Sequence, residues 1–339
     1  MKILQLLLIS GLLFPVAATA AENEKEKVDY RPEIHGTIRG KFEYQPQADK
    51  VRFQVRNARF SLSGKVLPIV SYKAEIDLSD EGKIKMLDAY GRITPMDGLD
   101  LTIGQMRVPF TIDAHRSPHQ QYFANRSFIA KQVGNVRDVG FTAGYRFNTA
   151  LPVTLQAGLF NGSGLTEQKD FWTDRINYSA KAQLELPKGF NVVLSTQRAK
   201  PEDVAVYMYD AGVNYHAGRW HVEAEYLRKY YDNNQFGAVN AVNSFVCYDL
   251  PLKKVFNKIS FLGRFDYMGD HSNGSYDDGG KLYVTDSERK RVTGGITLSF
   301  GKAFLADLRL NYEKYFYDSG ASIKVSEHDK AVVELMVRF

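Results

Sequence analysis

The chain has 339 residues, 44 basic and 39 acidic, with a formal net charge of +5, 13% aromatic residues and a single cysteine, Cys247. One cysteine excludes a disulfide-stapled module, and so mild a charge gives no case for a nucleic-acid partner. Beyond residue 20 no run approaches the ~18 uncharged apolar residues of a membrane-crossing helix, which excludes a helical membrane protein.

Residues 1–20 read as a secretory signal: Lys2 gives the positive start, residues 3–16 the apolar stretch and Ala18-Thr19-Ala20 the cleavage site. Residues 21–32 are expected to be a short periplasmic segment. From 33 to 339 the pattern is strand. Ile34, Gly36, Ile38, Gly40, Phe42 and Tyr44 alternate with Glu33, His35, Thr37, Arg39, Lys41 and Glu43. Period two sets one face of a strand against an apolar phase and the other against water. Sixteen strands are predicted, near 33–44, 51–64, 69–79, 84–93, 99–108, 138–147, 153–160, 175–186, 189–198, 207–217, 219–230, 241–250, 257–267, 290–300, 304–315 and 330–339. Alternation is untidy in the fourth and twelfth.

Tight connections such as Leu67-Pro68, Pro187-Lys188, Ala217-Gly218 and Gly301-Lys302 take turns with longer polar ones at 45–50, 109–137, 161–174, 231–240, 268–289 and 316–329. Short turns on one side and long loops on the other are the arrangement of an up-and-down barrel in an outer membrane. Aromatics gather at strand ends, as in interfacial girdles, and Phe339 closes an alternating strand. A soluble β-sandwich would have shorter strands and fewer aromatics at their ends. The prediction is an all-β fold, a 16-stranded antiparallel transmembrane β-barrel.

In such a barrel the apolar positions face lipid and the polar ones face the lumen, because a cation on the lipid face costs ~2–4 kcal/mol at the midplane. The second strand changes phase: Val51, Phe53 and Val55 are apolar at odd numbers, Ala58, Phe60 and Leu62 at even ones. A bulge near Asn57 absorbs the slip and turns Arg52, Arg56 and Arg59 inward. With Arg39, Lys41 and Lys73 they make a basic wall that outnumbers Glu33, Glu43, Glu75 and Asp77, so the three arginines are expected to lack acidic neighbours. From the tenth strand the acids Asp210, Glu223, Glu225, Asp249, Asp266, Asp307, Glu313 and Glu334 outnumber Lys229, Arg264, Arg291, Arg309 and Arg338. A basic wall then faces an acidic one and raises the local anion concentration.

The connection 109–137 is too long for a structureless loop. Its His115, Arg116, His119, Arg126, Lys131 and Arg137 stand against one acid, Asp113, and it is expected to fold into the lumen as a basic lip. No nucleophile elbow, metalloprotease motif or phosphate loop occurs. His115 and His119 are four apart, but Pro118 between them breaks a metal-binding helix. Asp266, Asp270, Asp277 and Asp278 could hold calcium but read better as part of a solvated external loop. No catalytic residue, cofactor or metal is expected.

The stretch Ile103-Gly104-Gln105-Met106-Arg107-Val108-Pro109-Phe110 resembles the Gly-Gln-x-Lys/Arg-x-Pro-Phe segment of the phosphate-selective porin O and P family. Asn135-Val136-Arg137-Asp138-Val139-Gly140 is similar to that family's Arg-Asp-x-Gly segment, and Phe160-Asn161-Gly162-Ser163-Gly164 to its Asn-Gly-x-Gly strand end. The resemblance covers about residues 31–339. It implies a trimeric outer-membrane porin of a Gram-negative bacterium, whose arginines and lysines guide anions through a loop-narrowed constriction. Arg107 and Arg137 match motif positions. One departure stands out: the third long loop carries a single lysine, Lys131. The expectation is passive diffusion of small hydrophilic solutes with anion preference, phosphate among them, and no enzymatic activity. The alternatives are a closed structural or adhesive barrel, or a barrel hydrolase. The pore-lining candidates are Arg39, Lys41, Arg52, Arg56, Arg59, Lys73, Arg107, Arg116, Arg126 and Arg137. The expected partners are outer-membrane lipid and lipopolysaccharide, small anions and two further copies of the chain.

Overall fold

The computed structural model describes residues 28–132, 137–165, 168–301, 305–318 and 320–339. The predicted signal and cleavage site, Asn135-Val136 and Lys302 lie outside them. Sixteen strands run in chain order: β1 Glu33–Gln45, β2 Lys50–Leu67, β3 Val70–Asp80, β4 Lys83–Met96, β5 Leu99–Arg107, β6 Arg137–Phe147, β7 Val153–Phe160, β8 Asn177–Leu186, β9 Phe190–Ala199, β10 Val206–Ala217, β11 Trp220–Tyr231, β12 Val239–Pro251, β13 Lys258–Met268, β14 Arg289–Phe300, β15 Leu305–Tyr317 and β16 Lys330–Arg338. Each pairs antiparallel with its sequence neighbours, and β1 pairs with β16, from Thr37 opposite Arg338 to Tyr44 opposite Ala331, closing the barrel. Closure leaves no strand edge unpaired. Sixteen strands are enough to enclose an aqueous interior.

The alternation decides the two faces. Ile34, Val51, Phe53, Ile84 and Ile103 are exposed on the outer wall, whereas Arg39, Glu75, Glu223, Arg309 and Glu334 are buried inside. Two strands with a broken pattern, β2 and β4, are bulged, whereas the untidy twelfth, β12, pairs with both neighbours without a shift. In β2 the register slips at Arg56, so that Arg39 faces Asn57 and Gly40 faces Val55. The extra residue is thus Arg56, one place before the position expected. In β4 the extra residue is Leu87: Glu75 pairs with Asp88 and Ile76 with Met86. At the seam, Phe339 exchanges backbone hydrogen bonds with Gly36, 2.7 and 3.1 Å long. A methyl group added at Gly36 would lie 2.2 Å from the Phe339 ring, so the ring is seated where a side chain is missing.

One expectation about the connections is corrected. Not every loop-end connection is long: β3 and β4 are joined by Glu81-Gly82 alone, both with positive φ. That is the geometry of a two-residue hairpin turn. Residues 108–136 form the longest connection and contain a short helix, α1 Phe128–Gln132, and two 3-10 turns at Asp113–His115 and Pro118–Gln120.

Candidate functional site

The 108–136 loop runs across the interior and is held by inward side chains of many strands. The Ser179 hydroxyl of β8 donates to the Pro109 carbonyl at 2.6 Å, and Ile112 N–H donates to Glu225 of β11 at 2.5 Å. Arg116 forms an ion pair with Glu223, Ala124 N–H donates to Asn311 at 2.8 Å, and Phe128 N–H reaches Asp266 at 3.3 Å. On the opposite wall Arg39 donates to the Gln121 side chain at 2.9 Å and to the Ala124 carbonyl at 2.6 Å. Within the loop, burial pushes the Asp113 carboxyl up. Arg116, Arg126 and the Ser127 hydroxyl and amide outweigh that and hold it at about 2. Burial takes His115 down to about 3 and His119 to about 4, with neighbouring cations adding to both shifts. Both imidazoles are therefore neutral, and the loop's positive charge is carried by its arginines and Lys131.

Of the family-like segments, one holds the start of the loop and the others fasten β6 to the connection after β7. Arg107 donates to the His115 carbonyl at 2.5 Å and to the Ser117 hydroxyl at 3.3 Å. The Asp138 carboxylate accepts from the amides of Gly162 at 2.8 Å and Gly164 at 3.1 Å, tying the strand end at 160–164 to β6.

The inner wall from β15 round to β6 carries a continuous chain of alternating charges. Arg309 bridges Asp307 and Glu334 at 3.2 and 2.8 Å, and Glu334 accepts from Arg39 at 2.6 Å. Asn57 passes the chain from Arg39 to Asp77, at 3.3 and 2.7 Å. Arg59 holds Asp77 at 2.9 Å and Glu75 at 3.5 Å. Arg137 joins Glu75 to Asp88, which Lys73 reaches at 2.8 Å. Five cations (Arg309, Arg39, Arg59, Arg137, Lys73) meet five acids (Asp307, Glu334, Asp77, Glu75, Asp88), so the belt is neutral.

This corrects the expectation that Arg52, Arg56 and Arg59 lack acidic neighbours. Besides the Arg59 pairs, Arg52 holds Glu43 at 2.5 Å and Arg56 holds Asp80 at 2.7 Å. The physical reason lies in register: the matching acids sit on partner strands, Asp77 opposite Arg59 and Glu43 opposite Arg52. Cross-strand pairs of this kind are how a sheet neutralises charge. Asp266 is likewise bound to Arg264 and Arg291, and Asp277 accepts from the amides of Gly279 and Lys281 in its own turn. Asp266 is thereby taken up by two guanidinium groups, and Asp277 lies on an exposed turn. Among the described residues no group of three or more His, Cys, Asp or Glu is placed to hold a metal ion.

The loop divides the interior. On its loop-end side a cavity of about 350 Å³ is lined by Arg39, Lys41, Arg52, Arg56, Arg126 and Lys330. On its turn-end side lie cavities of about 650 and 320 Å³; Arg116, Lys181 and Arg309 line the larger, Lys73 and Arg107 the smaller. Gln121 borders both the outer cavity and the larger inner one. Arg59 and Arg137 sit in the belt between the compartments. Among the described residues Arg107, Arg126 and Lys181 reach these cavities with main-chain carbonyls or a hydroxyl as partners and no carboxylate: Arg126 donates to the carbonyls of Asp113 and Arg116, Lys181 to that of Thr111. Sequence reasoning missed Lys181. It stands at an inward position of a cleanly alternating strand, but the charge count passed over that strand.

A closed sixteen-stranded barrel with a charged lumen crossed by one long loop defines the porin class of outer-membrane protein. The sequence model of the family described as phosphate-selective porin O and P matches residues 28–232, and the chain belongs to that family. No match is found among curated proteins. Among solved structures the chain is similar to the trimer form of OmpT from Vibrio cholerae, at 11% identity over 91% of this chain and 98% of that one, with a TM-score of 0.60. It is also similar to the outer-membrane channel DcaP of Acinetobacter baumannii, at 13% identity over 91% and 96%, TM-score 0.60. An anion-selective porin from Comamonas acidovorans matches at 11% identity over 91% and 98%, TM-score 0.60.

Proposed function

We propose that this porin is an anion-preferring diffusion channel, assembled as a homotrimer in the outer membrane of a Gram-negative bacterium after removal of residues 1–20. The observation that carries the preference is the unequal pairing of charge. The belt cancels itself, while Arg126 on one side of the loop and Arg107 and Lys181 on the other present cations without a carboxylate partner. Unpaired cations in a channel of low-dielectric walls raise the local anion concentration. The anions are small and of general type rather than phosphate alone. Lys131, the one lysine of the loop, is bound to Glu327 at 2.9 Å and does not add to a lysine cluster. The trimer is supported by the family and by the trimeric neighbour.

The test is conductance across planar bilayers. Discrete open steps are expected, with a reversal potential favouring chloride in a potassium chloride gradient. Replacing Arg107, Arg126 and Lys181 by Gln together should move that potential toward the cation. The neutral pair change Arg59→Gln with Asp77→Asn should leave it in place. Millimolar phosphate should leave the chloride current open. A silent membrane would instead mark a closed barrel, and an unmoved potential in the triple variant would remove these residues from the permeation path.

A further inference from the structure

Where the long loop enters the barrel it lies on the acidic wall, and there the hydrogen-bond accounting does not close. Thr111 N–H donates to the Ser195 hydroxyl at 3.0 Å, which donates to Asp210 Oδ1 at 3.2 Å. Ile112 N–H donates to Glu225 Oε1. Glu225 stands opposite Gly212 on β10 and opposite Asn243 on β12, and Asp210 is two residues before Gly212 on the same inward face. Gly212 adds no side chain, and Ile112 packs over it: its Cδ1 lies 2.5 Å from where a methyl group would be. Four buried oxygens in this neighbourhood have no partner: Asp210 Oδ2, Glu225 Oε2, the Thr111 hydroxyl and the Asn243 amide oxygen. The four residues are all at least nine-tenths buried. The neighbouring acids are satisfied, Glu223 by Arg116 and Asp113 by Ser127.

We propose that this loop root binds a hard, oxygen-preferring cation of the calcium type. An unpartnered buried acceptor costs ~1–3 kcal/mol, more if charged, and native structures rarely leave several together. All four unpartnered atoms are oxygens. Two belong to carboxylates and two to neutral groups, which is the ligand mixture that calcium accepts. Lys181 supplies one positive charge nearby, but its ammonium donates to the Thr111 carbonyl at 2.6 Å. Two carboxylates and one ammonium leave the pocket with one negative charge in excess. A cation there would fasten the loop to β10, β11 and β12 at its entry point, away from the basic wall.

The experiment uses the whole mature chain folded in detergent, stripped with a chelator and titrated with Ca²⁺ in a calorimeter. One saturable site is expected, at least tenfold weaker in the Asp210→Asn/Glu225→Gln variant and unchanged in the external-loop control Asp277→Asn/Asp278→Asn. Should the double carboxylate variant fail to fold, Asn243→Ala alone is expected to weaken binding several-fold. No binding heat in the unaltered chain, or heat unchanged in either site variant, overturns the assignment. If the chain ignores Ca²⁺ and the protection of amides 110–113, taken against the intrinsic exchange rate at each pH, falls as pH rises, a proton shared by Asp210 and Glu225 fills the place and the cation site falls. These outcomes are independent of whether the bilayer shows anion current.

Discussion

Arg39 grips the loop and the belt at once. One guanidinium serves Glu334, Asn57, the Gln121 side chain and the Ala124 carbonyl, and it is 1% exposed. Removing one partner of a buried ion pair strands the other charge, at a cost of about 3–5 kcal/mol. Arg39→Ala is therefore expected to lower stability by that order and, by freeing the loop beside Gln121, to give noisier and larger conductance steps. Arg39→Ala made together with Glu334→Ala should recover much of the stability but not the quiet current. The measurements are thermal unfolding in detergent and single-channel recording; equal noise in wild type and variant would refute the anchoring role. Inward residues of this kind were legible from period two alone. Their partners were not, because Asp77 faces Arg59 only once register is known, and register in β2 depends on a bulge that composition does not mark.

At the scale of elements, the connection 269–288 is docked on the barrel by its base, around His271, Ser272 and Asp286, while its tip at 276–281 is exposed as expected of a solvated loop. His271 Nε2 lies 3.0 Å from the Lys229 ammonium, and its Nδ1 faces Asp286 at 3.5 Å. An ammonium only donates, so Nε2 must accept and the ring is neutral. Asp286 is also held by Lys324 and Arg289, and Lys229 donates to the Ser272 carbonyl at 2.9 Å. Burial, with Lys229 and Arg289 adding, takes His271 down to about 4, against the pull of Asp286. Undocked, the ring returns to a value of roughly 6.5. The docked state thus has its full stability above that value. It loses stability as pH falls toward 4, because only the undocked loop takes up the proton. Protection from hydrogen exchange over 269–288, taken against the intrinsic rate at each pH, should fall between pH 7.5 and 4.5, and His271→Asn should flatten the response. Constant protection across that range would show that His271 does not secure the loop. All sixteen strands were visible in the alternation, including the two untidy ones. The packing of the loops was not, since it rests on contacts such as Lys229 with His271 that no period announces.

For the whole molecule the seam between β1 and β16 decides whether there is a barrel at all. Gly36 makes room for Phe339, and filling that space overpacks the join, at a cost of about 1–3 kcal/mol. Gly36→Val should lower the temperature at which the folded barrel opens in detergent, while Gly40→Val, where an added methyl group meets nothing within 4 Å, should not. Equal temperatures for the two variants would remove Phe339 from closure. The height of the wall is also uneven. Beside the 20-residue connection 269–288, β1 joins β2 through residues 46–49 and β3 joins β4 through Glu81-Gly82. The rim therefore has a low sill over β2, the strand that carries Arg52 and Arg56, and stands taller at 269–288. A solute drifting in over the sill enters on the flank of the doorway where those guanidinium groups line the outer cavity.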